Sequence, residues 1–560
     1  LPIIEHAEFG RNVPDEAMPD EDKMNLGKIY HMGKEEAAGL LLNRQAMASH
    51  TFITGSTGTG KSNAVYHLLD EIIKNGQTTF LVVEPAKGEY KNVFGNCTDV
   101  QVFGTNPRET PLLRMNPFAF PENIHILEHI DRLVEIFNAC WPMYAAMPAV
   151  LKDAIERSYQ KVGWDLRNSE SEKGVFPTFF DLLDILPGVI EESHYSKDTQ
   201  SDYVGALCTR VKSLTNGIYG SVLCAEDALS DAEMFDQNVI VDLSRVGSME
   251  TKSLLMGILV MKLQEYRMCS SGMNSRLRHV TVLEEAHNLL RKTSAEQSQE
   301  GANLQGKSVE MLANAIAEMR TYGEGFIIAD QAPGLLDMSV IRNTNTKIIL
   351  RLPDEEDRKL VGKSAALKEA QIDELSKLPL GVAAVYQNEW PEAVLCKIEA
   401  YPMPENAVYH KPSKMPHEIN AEFVFGQLAV GKELEPLSSS EMEQLKLWLK
   451  RHETVLKPED SRYLERVFAG GELDVAKTRK AVFDFFGGIG TVVDYCAAAK
   501  KSLTPRKEFL EQLQGQYGLK AAAADWVLNS VISMGMSLNP DAEAVEDLRT
   551  NFEQQGGRVL

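Results

Sequence analysis

One octapeptide constrains this chain more than any other feature. Gly55-Ser-Thr-Gly-Thr-Gly-Lys61-Ser62 fits the pattern Gly-x4-Gly-Lys-Ser/Thr without a gap. Thr51-Phe-Ile-Thr54 before it reads as a short strand. After it, Val65, Leu68, Leu69, Ile72 and Ile73 form a helical apolar stripe closed by Asn75-Gly76. Glycines let the backbone curl until successive N–H groups face one phosphate, and the helix N-terminus adds positive potential. The spacing assigns Gly55, Thr57, Gly58, Thr59, Gly60, Lys61, Ser62 and Asn63 to a cradle for the phosphates of ATP. Lys61 reaches the β- and γ-phosphates, and the Ser62 hydroxyl ligates Mg2+.

Such a loop needs one acid beside the metal and another to polarise water. His279-Val-Thr-Val-Leu283-Glu284-Glu285-Ala286-His287 supplies both at a strand end: Glu284 toward the metal shell and Glu285 toward water. Val239-Ile-Val-Asp242 carries a single acid, and Asp242 reads as an ordinary strand-end residue. Phe326-Ile-Ile-Ala-Asp330-Gln331 is a further buried strand with a polar end. Gln331 is either a sensor of the γ-phosphate or a polar turn before Pro333. Arg320 closes a helix spanning 309–322. It is either a cation at a helix C-terminus or an arginine finger for a neighbouring subunit. His125-Ile-Leu-Glu128-His129 matches an inverted zinc-protease pattern, but with no third ligand in view it reads as a surface-helix coincidence.

Near-continuous apolar runs at 239–243, 280–283, 326–329 and 346–350 are what a sheet buried on both faces requires. The fold class is therefore α/β with a largely parallel sheet. Organisation follows from changes of periodicity. Residues 1–50 form an extended segment, 51–118 a first part of the core, and 119–235 a helical insertion broken by Pro142, Pro148, Pro177 and Pro187. Residues 236–402 resume the core and end in a hairpin around Asn388; 403–560 are a linker and a mostly helical region, with helices at 440–451 and 504–513. Leu1 stands where a start Met belongs, which leads to the expectation that the natural start is missing.

The chain carries 58 basic and 80 acidic residues, a net charge of −22. A bulk polyanion binder is usually basic, so any nucleic-acid contact must use a local patch. The stretch 291–308, with Arg291, Lys292 and Lys307, is the candidate pore element; a mobile solvated loop is the competing reading. Seven scattered cysteines without a Cys-x-x-Cys argue for a reducing cytoplasm and against a zinc ribbon. No stretch approaches the ~18 apolar residues of a membrane span.

Taken in order, Thr51–Ser62, Val83-Glu-Pro-Ala-Lys-Gly-Glu-Tyr90, Leu283-Glu-Glu-Ala-His287, Ala317-Glu-Met-Arg-Thr-Tyr-Gly323, Asp330-Gln331-Ala-Pro and Leu380-Gly-Val-Ala-Ala-Val-Tyr386 resemble the HerA ATPases of the HerA–FtsK superfamily over about 24–402. The resemblance implies a RecA-like P-loop NTPase core that works as a homo-hexameric ring around duplex DNA. It implies Arg320 as a finger in trans, and Glu84 and Glu89 near the nucleotide or the subunit seam. It also implies a partner, a nuclease or a sirtuin-like effector, in DNA end processing or phage defence. Two departures stand out: Glu284 where many relatives carry Asp, and no evident basic residue just ahead of the first strand, Arg44 being further away. The family's N-terminal barrel is not visible, so it is absent or trimmed. Two other readings stand beside the motor: a nucleotide-gated ring scaffold that activates an effector, and a type IV secretion-type ATPase.

Overall fold

The computed structural model describes residues 6–13, 18–171, 174–225, 228–293, 301–403, 407–411, 458–468, 474–502, 504–517, 521–539 and 541–559. The expected helix at 440–451 and part of the 291–308 stretch lie outside them. Two compact units separate near residue 411.

In the first unit the chain lays down β1 (Lys23–His31), β2 (Lys34–Asn43), β3 (Thr51–Thr54), α1 (Lys61–Asn75), β4 (Thr79–Glu84), α2 (Tyr90–Phe94) and β5 (Val100–Gly104). The insertion opens with α3 (Ile126–Cys140) and α4 (Met147–Lys161), followed by a small hairpin of β6 (Trp164–Asp165) and β7 (Glu170–Ser171). Then come α5 (Phe179–Glu192), α6 (Lys197–Tyr203), α7 (Thr209–Thr215), α8 (Gly217–Leu223) and α9 (Asp231–Phe235). The core resumes with β8 (Asn238–Asp242), α10 (Met249–Ser270), β9 (His279–Glu284), α11 (Gly301–Glu318), β10 (Glu324–Asp330), β11 (Thr346–Ile349), β12 (Val382–Gln387) and β13 (Val394–Lys397).

One 11-stranded sheet collects them in the order β2-β1-β13-β12-β11-β3-β10-β9-β4-β8-β5. From β11 to β5 the strands run parallel. Alternate residues explain why both faces are covered. Phe52, Leu81, Val83, Leu283 and Ile328 pack on the side of the insertion helices, while Ile53, Phe80, Val82, Val282 and Ile327 pack on the side of α1. The registers align Thr54 with Asp330, Ala329 with Glu284, and Glu84 with Asp242. Five neighbouring strand ends thus meet along one edge, where parallel sheets place their sites.

The stretch 23–43 is a hairpin of the main sheet: β1 pairs with β2 and with β13. Its turn is Met32-Gly33, both with positive φ (47° and 77°), the two-residue geometry that suits the twist of a hairpin. Arg44 behind it is buried, bonded to Asp22 at 2.8 Å, to Gln77 at 2.9 Å and to Thr78. The insertion departs from the periodicity at its prolines. Pro148 lies in the first turn of α4, where its missing N–H costs nothing, and α5 runs through Pro187.

The second unit spans Pro412–Leu560, with Glu172–Val175. Its described helices, Pro458–Phe468, Val475–Phe485, Gly488–Ala499, Pro505–Tyr517, Ala521–Leu538 and Ala542–Gln554, enclose Leu464, Phe485, Tyr495, Leu528, Ile532 and Phe552. Among the described residues no single helix is long and apolar enough to cross a membrane; one bent pair, Ala476–Phe485 with Gly488–Ala499, passes that test jointly.

Candidate active site

The loop after β3 is shaped by its glycines. A Cβ on Gly55 would stand 2.7 Å from the Cβ of Leu350 and 2.7 Å from the Thr59 hydroxyl, so only glycine fits. Gly60, at φ 105°, turns the chain into α1. Thr59 is buried and its hydroxyl donates to the Ser56 carbonyl at 2.7 Å. The loop lines a cavity of about 380 Å3 together with Lys61, Ser62, Asn63, Gln331, Leu380 and Gly381. The amide of Gly381 donates to the Thr59 carbonyl at 3.2 Å, which ties the start of β12 to the loop. Both amide atoms of Asn63 are engaged with backbone, its Nδ2 on the Glu399 carbonyl and its Oδ1 on the Tyr401 amide.

Lys61 points at the two acids. Its Nζ lies 3.2 Å from Glu284 and 3.1 Å from Glu285. Burial pulls the ammonium down, and the carboxylates, Glu284 foremost, overcome this and hold it above the ordinary lysine range. Gln331 bridges the site: its Nε2 donates to Glu285 at 2.6 Å, and its Oε1 accepts from Thr57 at 2.6 Å. Glu285 sits at φ 45°, a region few side chains adopt. Its turn is held by Asp330, which accepts from the His287 amide at 2.9 Å and pairs with the His287 ring at 2.9 Å. The bond to Asp330, first, raises the His287 imidazole above its usual range. Ser62 lines the cavity and Glu284 pairs with Lys61 beside it, a hydroxyl and a carboxylate whose hard oxygen chemistry suits Mg2+.

This geometry has counterparts. The family model of the helicase HerA central domain matches residues 24–263. A probable helicase of Methanocaldococcus jannaschii is 23% identical over 436 residues, covering 71% of this chain and 76% of that relative. The DNA double-strand break repair helicase HerA of Sulfolobus acidocaldarius is 26% identical over 393 residues, covering 68% and 69%. The structure of VirB4 of Thermoanaerobacter pseudethanolicus shares the fold, with a TM-score of 0.50 and 19% identity over 69% of this chain and 98% of that one.

The chain is a HerA-like P-loop ATPase.

In this HerA-like ATPase the remaining expected residues are sorted by which end of the sheet they occupy. Gly55, Thr57, Gly58, Thr59, Gly60, Lys61, Ser62, Asn63, Glu284, Glu285 and Gln331 all gather at the carboxyl edge. Arg320 does not. It is exposed, sits in the turn that precedes β10, and lines a polar cavity of about 670 Å3 with Asn43, Gln45, Asn345, Asn388 and Trp390. No ion pair is formed by Arg320 among the described residues. Arg44 is held by Asp22, away from the loop. Asp242 is occupied by Lys91, which keeps its carboxyl below the usual range despite burial. The zinc-like pattern is dissolved by the structure. His125 caps α3 in extended backbone, and His129, far from being on a surface, is fully buried against Glu265 at 2.9 Å.

Sequence reasoning left several residues of the site unassigned. Lys87, Leu380, Lys397, Ile398 and Ala400 line the cavity, and Tyr90 donates its hydroxyl to Glu284. Their signal in sequence is weak because each arrives from a strand or loop remote from the glycine loop. Glu84 lies on the same edge, buried, accepting from the amides of Glu89 at 2.7 Å and Tyr90 at 3.2 Å. Burial pushes its carboxyl up to about 8 against those amides, with Asp242 and Glu284 adding repulsion.

Proposed function

We propose that this ATPase is a ring-forming, ATP-driven translocase of duplex DNA. The placement of Arg320 carries the reading. A chain whose exposed, unpaired arginine stands at the sheet edge opposite its own phosphate loop has a cation to offer to another copy. In a homo-hexamer Arg320 would stabilise charge on a neighbour's γ-phosphate, while within each chain Lys61 binds the β- and γ-phosphates. Glu285 accepts the proton of the attacking water, and Gln331 orients both Glu285 and the loop through its two bonds. Ser62 and Glu284 would hold Mg2+, which when bound neutralises phosphate oxygens.

DNA contact is assigned to Arg291, Lys292 and Lys307, all exposed; Lys307 lies on α11 rather than in a loop. Phosphate contacts by such residues are sequence-independent. A partner enzyme, a nuclease or sirtuin-like effector of end processing or phage defence, is proposed from the family resemblance alone; that resemblance does not reach the helical unit at 412–560, which is left as a partner dock or a ring brace. The test is ATP turnover with and without linear duplex DNA, together with displacement of a roadblock from that duplex. Stimulation with directional displacement is expected. Turnover indifferent to DNA, yet required for a partner's activity, would replace the translocase with a gated scaffold. Neutralising Arg291, Lys292 and Lys307 is expected to flatten the salt dependence of DNA binding by about three in log–log slope at most; an unchanged slope removes them from the pore.

A further inference from the structure

Glu284 has two oxygens and two different neighbours. Oε2 faces the Lys61 ammonium at 3.2 Å. Oε1 accepts the hydroxyl of Tyr90, a side chain only 2% exposed and packed edge-on against the Tyr66 ring at 5.1 Å. Tyr90 itself is fixed twice over. Its backbone amide donates to Glu84 at 3.2 Å, and the adjacent Lys91 is locked to Asp242 and Glu109. A buried carboxylate with one oxygen unpaired would rotate to find a partner; a hydroxyl donor holds it in place. The donor here is rigid, because α2 is bonded to the ends of two neighbouring strands, β4 and β8.

We propose that Tyr90 is a positioning residue: its hydroxyl fixes the rotamer of Glu284, and so sets how tightly the site holds a nucleotide-bound divalent cation. The proposal rests on the reading of Glu284 as the metal-side acid. Tyr90 acts through Glu284, whose Oε1 accepts its hydroxyl. Partners that orient a metal-side group typically alter metal affinity by about 10–100-fold when removed.

The experiment is binding, not turnover. A fluorescent non-hydrolysable ATP analogue is titrated into the full chain in EDTA and at increasing Mg2+, for the parent, Tyr90→Phe, Glu284→Gln and Tyr66→Phe. Tyr90→Phe is expected to leave the affinity in EDTA within about twofold and to move the Mg2+ midpoint upward by about 10-fold. Tyr66→Phe keeps the parent midpoint, because the Tyr66 ring packs beside Tyr90 without donating to Glu284. A parent-like midpoint in Tyr90→Phe, with a shifted one in Glu284→Gln, overturns the role of Tyr90 and spares the metal assignment. Parent-like midpoints in both overturn the two together. If Tyr90→Phe does not fold, 3,5-difluorotyrosine at position 90 supplies a stronger hydroxyl donor of nearly the same shape. A downward move of the midpoint then supports the proposal, and no move overturns it.

Discussion

At the scale of single residues, the site is a set of charges that only make sense together. Lys61 is shared by Glu284 and Glu285, and Glu285 is also held by Gln331. Glu285→Gln preserves shape and removes the proposed base. In the presence of Mg2+, ATP is expected to bind as it does to the parent while turnover falls about 10²–10⁴-fold, measured by binding and phosphate release on the same protein. Glu84 makes a prediction about pH. Its carboxyl rises from 4.5 to about 8 on folding, so the folded molecule keeps a proton that the unfolded chain has released. This contribution to stability is fully present below the ordinary carboxylate range and is lost as pH rises toward 8. The slope is at most about 1.4 kcal/mol per pH unit. Glu84→Gln is expected to flatten the fall of the unfolding midpoint between pH 5 and 8; a slope identical to the parent's refutes the assignment. The glycine loop, Glu284 and Glu285 were legible because a phosphate cradle and a strand-end acid pair are local patterns. Tyr90 was not, since it stands 194 residues from the oxygen it serves.

At the scale of elements, the parallel strands and α1 follow directly from apolar runs and the i, i+3, i+4 stripe, and the β12–β13 hairpin forms around Asn388 as the pattern requires. The β1–β2 hairpin is harder to read because half of it faces water. In β2 only Leu40 and Leu42 are buried, and Lys34-Glu-Glu is fully polar. Its attachment depends on Arg44, which joins Asp22 to Gln77 and Thr78 at the far end of α1. Arg44→Ala is expected to destabilise the first unit by about 3 kcal/mol, at the low end for a broken buried pair, because Arg276 and Gln45 still hold Asp22. Chemical denaturation of the variant and parent measures this. A change below about 0.5 kcal/mol places the hairpin's anchorage elsewhere.

At the scale of the whole molecule, the proposed ring would divide the labour between chains, with the phosphate loop at one end of the sheet and Arg320 at the other. Arg320→Ala is expected to bind ATP and assemble as the parent does, while hydrolysis falls by about 10³-fold or more. Mixing decides whether the arginine serves a neighbour. Arg320→Ala would lack the proposed finger and Glu285→Gln the proposed base, so a seam at which a Glu285→Gln chain lends Arg320 to an intact base is expected to regain turnover. Mixed assemblies that form and stay inactive count against service in trans. A fully active Arg320→Ala protein directs attention to Arg351, which follows β11 at the loop's own edge and whose carbonyl accepts from Ser56 at 3.0 Å.

The sharing of Lys61 has a consequence for what enters the site. The ammonium that a triphosphate must claim is the same one that two carboxylates already divide. A bare nucleotide arriving there would take their counter-ion and add its own negative charge to theirs. A nucleotide already complexed with a divalent cation brings the replacement along. Electroneutrality thus screens the incoming ligand at the threshold, before any bond is broken. Removing one of the competing charges relaxes the screen: Glu285→Gln is expected to bind ATP in EDTA more tightly than the parent, while losing the ability to cleave it.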